Sequence, residues 1–484
     1  MIFTSSITID LLLLAIIGVI VGHTAWLMKR KRFFVFDPIN VFWAGTSMIL
    51  ITQPISYYDE FFSFWYSEAT VAKTLAWTLF AVVMIIVGYE MKPSIRAGLA
   101  VPRLPATLDQ NRLLLAGMGL VGLSIFGYLL MFYSAGGLTA WASASRGDTQ
   151  AENLPGWAYL FINFQYMLPG ATAFLLMGMY LTRANLMTKF LGWCLFTVVM
   201  LWMLYLGSRS RVVLLAMGAL GAVYIPQRKN PKLKVLLPLF VSLMMVAPFL
   251  AAYRDKFTDF SFNLSQIDLA EAKDVVLPDF LGGSDDTFTV RRELPRGTEF
   301  DVVCATIESV PSQNDFAYGY SFLGVVTKFI PRRIWPQKFY PHGEMVTPIY
   351  EEYDLTDNWI DYGAKPILAG PAFSYVAFYW LQAGPLGLAL AGLIMGGVFR
   401  VIRTYYDREP GNMSHALVLV SVLPLAFNDA LSTPIFGGIN FWPQIVGMLV
   451  VIALAKSRAQ PAYRDPRASA AEPEPAGYGA DGYA

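Results

Sequence analysis

Residues 316–344 read FAYGYSFLGVVTKFIPRRIWPQKFYPHGE, and they lie inside the only long polar segment of an otherwise apolar chain. Pro331, Pro336 and Pro341 prevent this stretch from forming one long helix. An apolar run ends at Pro331, and four cations flank or follow it: Lys328, Arg332, Arg333 and Lys338. The stretch therefore predicts an amphipathic piece that breaks into a rigid, cationic, aromatic loop at a membrane surface.

Two interpretations of this loop are open. Arginine is suited to phosphate, because its planar guanidinium group donates two parallel hydrogen bonds and is never deprotonated. The loop would then bind a phosphorylated ligand. Alternatively, the cations form a belt together with the aromatic residues Trp335, Phe339 and Tyr340, and this belt only anchors the loop to lipid headgroups.

The composition defines the class of protein. Of the 484 residues, 55% are hydrophobic and 15% are charged, and the mean hydropathy is +0.47. These values predict an all-α polytopic membrane protein. The formal charge of +1 argues against a nucleic-acid partner. Two cysteines predict no disulfide framework, three histidines show no zinc-site spacing, and no cofactor or metal is expected.

Apolar runs predict about eleven membrane-spanning helices and a large loop between the eighth and the ninth. The chain would divide into helices 1–8 (1–253), an extracytoplasmic loop (254–383), helices 9–11 (384–456) and a disordered cytoplasmic tail (457–484). The predicted spans are 7–28, 39–57, 71–90, 112–134, 156–181, 186–206, 207–225, 235–253, 384–402, 413–430 and 436–455.

Cations in the turns predict the orientation. One set of alternate turns and the C-terminal end hold nineteen Lys and Arg, against four in the opposite short turns. The cation-rich turns would be cytoplasmic, which places the N-terminus and the large loop outside and the C-terminus inside. The apolar stretch Gly370 to Gln382 would carry Arg400, Arg403 and Arg408 outside if it crossed the membrane. It is therefore predicted to be a re-entrant or interfacial helix.

A second cationic motif, GSRSR, occupies residues 207–211 between the sixth and seventh spans. Arg209 and Arg211 fall at an outer turn, where the positive-inside bias disfavours cations, and such arginines indicate a functional site. The start of the seventh span would also favour an anion, because the helix dipole is positive there. The alternative is that both side chains extend to lipid headgroups.

Further cations and many polar side chains belong to the same predicted outer face. Arg146 follows the fourth span, and Arg254 and Lys256 follow the eighth. Together with five cations of the two motifs they predict an outward-facing cationic cavity for a diphosphate; the five are Arg209, Arg211, Arg332, Arg333 and Lys338. The loop from 254 to 365 carries nineteen acidic residues against eleven basic ones, with frequent aromatic residues. Carboxylates can hydrogen-bond sugar hydroxyls and aromatic faces can stack on sugar rings, but ordinary solvated loop charge is the better explanation for most of these positions.

Three stretches resemble one family. GSRSR is similar to a Gly-x-Arg turn, FIPRRIWPQK (329–338) to a Pro-basic-x-Trp-Pro-x-Lys motif in a large outer loop, and AFYWLQAGPLGLALAGLIMGG (377–397) to the glycine-rich segment that follows it. The chain thus resembles the O-antigen-type oligosaccharide repeat-unit polymerases of bacterial envelopes, which are lipid-linked GT-C membrane glycosyltransferases. The resemblance is specific over about a quarter of the chain.

The resemblance implies a metal-independent transfer at the outer face of the inner membrane. Undecaprenyl-diphosphate-linked glycans would be donor and acceptor, membrane lipid would surround the site, and a chain-length regulator protein is a compatible partner. His342 and Glu344 are the nearest titratable candidates for the general base, and the choice between them is open. The implied catalytic residues are His342, Glu344, Arg209 and Arg332, and the implied substrate-binding residues are Arg146, Arg211, Arg254, Arg333, Lys338 and Trp335.

Other functions fit the same layout. An O-antigen ligase or another lipid-linked glycan polymerase would share the diphosphate chemistry. A transporter of lipid-linked oligosaccharide would be expected to show internal repeats and charges near the bilayer midplane. The sequence shows no repeat and gathers its outer charges at one face, which favours the enzyme over the transporter. A non-catalytic scaffold whose loop binds glycan is the third class.

Overall fold

The computed structural model describes most of the membrane region and parts of the large loop. The described residues are 4–134, 163–181, 185–205, 209–232, 234–236, 298–324, 330, 335, 341–356, 359–361, 366–368, 373–409, 411–431 and 442–456. Nearly all of the predicted eighth span, the start of the loop at residue 254 and the tail from 457 to 484 lie outside them. The division of the chain at residues 253 and 383 therefore stays a prediction.

Helices dominate the part of the chain that the structure describes, as the composition predicts. The N-terminal half has α1 (Ile7–Lys29), α2 (Pro38–Leu50), α3 (Thr52–Tyr57), α4 (Glu68–Glu90), α5 (Lys92–Ala100), α6 (Gln110–Ser134), α7 (Leu168–Leu181), α8 (Leu186–Tyr205) and α9 (Arg209–Tyr224). The C-terminal half has α10 (Glu299–Ser309), α11 (Pro341–Glu352), the antiparallel ribbon β1 (Trp359–Asp361) and β2 (Pro366–Leu368), α12 (Tyr375–Arg408), α13 (Met413–Leu431) and α14 (Trp442–Ala455).

Five of these helices are long and apolar enough to cross a membrane. They are α1, α4, α6, α8 and α12, and the shorter apolar helices Val212–Tyr224, Met413–Phe427 and Trp442–Ala455 accompany them. The predicted span 39–57 is divided, since α2 ends at Leu50 and α3 and a π-helical turn (Tyr58–Phe62) follow. The membrane-embedded helical class is thus confirmed, while the number of eleven spans stays a prediction.

Short polar side chains start the helices where the apolar runs begin. The Ser6 hydroxyl accepts from the backbone N–H of Ile9 at 3.3 Å and so caps α1. Ser67 caps α4 in the same way, and the Asp37 carboxylate caps α2, which has a proline at its first position. Each cap satisfies one of the N–H groups that a helix start leaves without a partner.

Helices α4 and α12 pack with their backbones in contact. Gly88 of α4 faces Leu393 of α12, and a methyl group added at Gly88 would overlap the Leu393 carbonyl oxygen. A methyl group at Gly396 would overlap the carbonyl oxygen of Ile85 in the same way. Small residues let membrane helices approach until their backbones touch. The glycine-rich segment after the loop therefore has a packing function in this fold.

A partly buried ionic network lies at one end of the helices, which we call the arginine end. Asp37, only 1% exposed, accepts from the Tyr89 hydroxyl at 2.5 Å and lies 3.6 Å from Arg403 Nε. Arg403 Nε also lies 2.8 Å from Asp407, which Arg228 approaches to 3.6 Å. These contacts join α2, α4, α12 and the turn after α9.

Further cation-rich turns come to the same arginine end. Arg103 pairs with Glu409 at 2.9 Å. The Asn230 side chain accepts from the Val35 N–H and donates to the Phe33 carbonyl. The Asp109 N–H donates to the Ala455 carbonyl, which brings the end of α14 there as well. The turns after α1, α4, α9 and α12, which the sequence predicts to be cytoplasmic, thus meet at one end.

Polar contacts gather the N-terminus, the segment between α2 and α4 and the start of α10 at the opposite end, which we call the loop end. The Ser6 hydroxyl donates to Glu68 at 2.5 Å, and the Ser5 hydroxyl donates to Asp59 at 2.6 Å. The Gln53 amide donates to Glu299 at 2.6 Å, so the start of α10 belongs to this end. The N-terminus and the large loop therefore share an end, as the predicted topology requires.

Helix α12 is broken near its start. Ala383 (φ −161°, ψ 30°) and Gly384 (φ 57°, ψ −134°) leave the helical conformation, and Pro385 follows. A positive φ with this ψ is readily available only to glycine. The break separates an arm of residues 375–382 from the long helix that runs to the arginine end. That this arm enters the membrane only part way stays a prediction.

Helix α5 was not predicted, since residues 92–112 were interpreted as a turn. It lies against α12, where a methyl group at Gly98 would overlap the side chain of Thr404. The helix begins with Pro93 in its first turn. Its period-3.6 pattern is hard to detect in nine residues that include three cations or hydroxyl side chains.

We predict that Gly396→Ala destabilises the protein, because the new methyl group must push α4 and α12 apart. Overpacking of this kind costs about 1–3 kcal/mol. Gly119→Ala in α6 is the matched control, since nothing lies within 4 Å of its added methyl group. Heating detergent-purified protein before size-exclusion chromatography measures the effect. Equal melting temperatures for the two variants would contradict the proposed crossing.

Candidate functional site

Helix α10 is the centre of the loop end and was not predicted from the sequence. Its side chains Phe300, Val302 and Val303 are fully buried. Thr298 caps its start, and the Phe300 N–H donates to the Gln53 side chain at 2.9 Å. The signal for it was the stretch TEFDVVCATIES, in which a cap and two acidic residues precede an apolar run.

The C-terminal end of α10 is fixed by two side chains from α4 and α12. Lys73 Nζ donates to the Ile307 carbonyl at 3.2 Å, and Trp380 Nε1 donates to the Val310 carbonyl at 3.0 Å. Cations at a helix C-terminus are stabilising because the dipole is negative there. Lys73, near the start of α4, thus holds α10 in place.

The candidate base Glu344 lies in the first turn of α11 and is half-buried. Its Oε2 accepts a hydrogen bond from the Tyr320 hydroxyl at 3.1 Å. Burial and the charge of Glu344 raise the pKa of Tyr320, so the phenol remains a donor at neutral pH. A carboxylate that is held by one donor and still reaches solvent can accept a proton from a nearby hydroxyl group.

The candidate base His342 has a different environment. It is 6% exposed, and its ring lies 5.2 Å from that of Phe373 and 5.4 Å from that of Phe378. Burial lowers the pKa of His342 to about 3. The imidazole is therefore neutral at physiological pH, is a weak base and is enclosed by aromatic rings. Of the two candidates, Glu344 is therefore the one whose side chain is open to solvent.

Arg209 and Arg211 lie in the first turn of α9, the element that the GSRSR motif was expected to start. The other end of α9 is at the arginine end, where the Tyr406 hydroxyl donates to the Ile225 carbonyl at 2.6 Å. Sixteen residues of helix span about 24 Å. The backbone of both arginines is thus on the side of the loop end.

Of the remaining predicted site residues, the structure describes only Trp335. Trp335 is described and half-buried. Arg146, Arg254, Arg332, Arg333 and Lys338 lie outside the described residues, so the predicted cationic cavity stays a prediction. Among the residues that the structure describes, no group of three His, Cys, Asp or Glu could hold a metal ion.

The geometry defines a polytopic helical membrane protein with a half-buried carboxylate at the end that carries its large polar loop. Comparison with protein families gives the class a name: the chain matches the family described as O-antigen polysaccharide polymerase Wzy over residues 1–460. The chain belongs to this family. Neither the comparison with curated proteins nor the comparison with solved structures finds a match.

Family membership confirms the resemblance that the motifs indicated. It supports a glycosyltransferase-like polymerase that acts in the membrane on lipid-linked oligosaccharide repeat units. Together with the apolar helices it indicates a multi-pass inner-membrane protein.

We predict that His342→Gln makes stability less dependent on pH. With a folded pKa of about 3 against 6.5 in the unfolded chain, His342 takes up its proton more readily when unfolded. Wild-type stability therefore falls as the pH drops below about 6.5, by about 1.4 kcal/mol at pH 5.5. Unfolding measured at pH 7.5 and 5.5 should show a smaller loss in the variant. An equal loss in both proteins would mean that the ring is not buried as described.

Proposed function

We propose that this protein polymerises undecaprenyl-diphosphate-linked oligosaccharide repeat units into a cell-envelope polysaccharide, without a metal, at the outer face of the cytoplasmic membrane. The observation that carries the proposal is the family match over residues 1–460. The loop end is the proposed active face, with the N-terminus outside and the C-terminus inside. The cation count supports this orientation, because the cation-rich turns gather at the arginine end.

The proposed reaction is a single displacement at an anomeric carbon. A hydroxyl oxygen at the non-reducing end of the acceptor repeat unit forms the new glycosidic bond. The bond between the donor sugar and its diphosphate breaks, and undecaprenyl diphosphate leaves with the electron pair. Glu344 accepts the hydroxyl proton, and general-base assistance of this kind typically contributes about 10²–10⁴ in rate.

Cations stabilise the leaving group in this proposal. Negative charge grows on the diphosphate as the bond breaks. Cations fixed next to the diphosphate lower the barrier, and their effect is larger in a poorly hydrated site than in water. Arg209 is supported for this role by its place in the first turn of α9, where the helix dipole also favours an anion. The proposed partners are Arg332 for catalysis and Arg146, Arg211, Arg254, Arg333, Lys338 and Trp335 for substrate binding.

Tyr320 is assigned a positioning role. Its hydroxyl donates to Glu344, and this hydrogen bond orients the carboxylate. His342, two residues earlier on α11, is assigned to the aromatic packing beneath the site, with Phe373 and Phe378. Two residues that are close in sequence thus have separate functions.

We predict that Arg209→Ala and Arg332→Ala each slow repeat-unit transfer by about tenfold to a hundredfold. A charge-assisted phosphate contact is worth about 1.5–3 kcal/mol, which corresponds to that range. Lysine should restore little activity, because a point charge lacks the two-pronged geometry. Reconstituted enzyme with lipid-linked repeat units gives the rates. Arg112→Ala, at the arginine end, is the control. Wild-type rates for both alanine variants would reduce these arginines to headgroup anchors.

We predict that Glu344→Gln lowers kcat by at least about a hundredfold, since the amide cannot accept the hydroxyl proton. Glu351→Gln is the matched control, because Glu351 is an exposed carboxylate on the same helix. Tyr320→Phe should lower kcat less than Glu344→Gln does, since the carboxylate is kept and loses only the donor that orients it. If Glu344→Gln and Glu351→Gln have the same kcat, Glu344 is not the base.

A further inference from the structure

The break in α12 leaves backbone acceptors that need partners. The arm of residues 375–382 ends at Ala383, so the last carbonyl groups of the arm have no following helical turn to bond them. A buried carbonyl without a donor would cost free energy comparable to a lost hydrogen bond. The structure therefore requires donors from elsewhere in the chain.

A strained turn from the large loop supplies them. The Ala317 N–H donates to the Leu381 carbonyl at 2.8 Å, and the Tyr318 N–H donates to the Gln382 carbonyl at 2.9 Å. The Gly319 N–H donates to the Gln382 side-chain oxygen at 3.2 Å. Three consecutive N–H groups thus fix the turn on the end of the arm.

Tyr318 is held in this turn in an unfavourable conformation. Its φ is 41°, in the left-handed region, and Gly319 follows with a φ of 88°. A left-handed conformation costs a bulky L-residue about 1–2 kcal/mol, a cost that glycine would avoid. A strained residue at a place where a glycine would fit better indicates that its side chain has a function.

The side chain of Tyr318 projects from the protein. It is 78% exposed, and its ring packs edge-on against Phe316, with 5.7 Å between the ring centroids. The Phe316 ring in turn packs against the break in α12. A methyl group added at Gly384 would lie 3.0 Å from this ring. The exposed Tyr318 ring therefore packs on Phe316, and the backbone hydrogen bonds of the turn fix its position.

The same turn leads directly to the proposed base. Tyr320, two residues after Tyr318, donates its hydroxyl to Glu344. Two residues cannot separate the Cα atoms of Tyr318 and Tyr320 by more than about 7.2 Å. The exposed aromatic ring and the residue that bonds the proposed base therefore belong to one short, fixed turn.

We propose that Tyr318 is a binding residue for the acceptor, on which the non-reducing terminal pyranose stacks while its hydroxyl group meets Glu344. The apolar C–H face of a pyranose fits an aromatic face, and a tyrosine adds a polar tip for a ring hydroxyl. The helix break fixes the ring in advance, which reduces the ordering cost of binding. The inference rests on the proposed polymerase function and extends it to the sugar subsite.

The test compares side chains at residue 318 in the full-length reconstituted enzyme with lipid-linked repeat units. Tyr318→Leu keeps apolar bulk but removes the ring. It should raise the KM for the acceptor repeat unit by at least about tenfold, while kcat changes little. Tyr318→Gly relieves the strained φ, so it should fold at least as stably as wild type and still raise KM. Tyr318→Trp keeps an aromatic face and should stay within about threefold of the wild-type KM.

Undecaprenyl diphosphate alone is the probe that separates sugar stacking from other effects. It carries no sugar, so its inhibition constant should be the same in wild type and in Tyr318→Leu. Tyr133→Leu, an equally exposed tyrosine at the end of α6, is the control and should keep the wild-type KM. A wild-type KM for the acceptor in the Leu or Gly variant would overturn the inference, and Tyr318 would then be only an anchor at the membrane interface. Equal shifts of KM and of the inhibition constant would also overturn it.

The outcome for the inference is distinct from the outcome for the proposed function. If wild-type enzyme does not lengthen lipid-linked repeat units at all, the polymerase proposal fails whatever residue occupies position 318. If wild-type enzyme does so and the Tyr318 variants match it in KM, only the sugar subsite fails.

Discussion

A backbone that breaks inside a membrane helix must find hydrogen-bond partners within the protein, because lipid offers none. In this protein the break at Ala383 and Gly384 exposes the carbonyl groups of Leu381 and Gln382, and the turn at Ala317–Gly319 bonds them. The turn therefore cannot move independently of α12. Since the next residue, Tyr320, contacts Glu344, the position of the proposed base depends on the same hydrogen bonds.

Helix α12 can hold this turn in place because the helix itself is fixed along its length. Near its middle, glycines bring it into backbone contact with α4. At its far end, Arg403 lies between Asp37 and Asp407 in a largely buried network. Removing one partner of a buried ion pair leaves an uncompensated charge, which typically costs about 3–5 kcal/mol. One rigid helix thus connects the arginine end to the loop end.

The proposed site divides its chemistry between two kinds of element. The cation motif GSRSR is at a helix start, where dipole and charge act together on an anion. The proton acceptor and the proposed sugar platform belong to a loop segment that packs on the broken helix. This division suits a transfer in which a diphosphate must leave from one side while a sugar hydroxyl approaches from the other.

The sequence by itself determined the membrane class, the places of most long helices and the grouping of the cation-rich turns, because hydropathy and charge are local properties of the chain. It also identified GSRSR and the pair His342 and Glu344. It could not separate that pair, since their difference lies in what surrounds them: Phe373 and Phe378 enclose one and lower its pKa, and Tyr320 bonds the other. Likewise, the burial of α10 and the docking of Gly319 on Gln382, 63 residues away, were decided only by tertiary structure. Contacts over such separations depend on how packed helices place each acceptor and donor, and no local pattern carries that information.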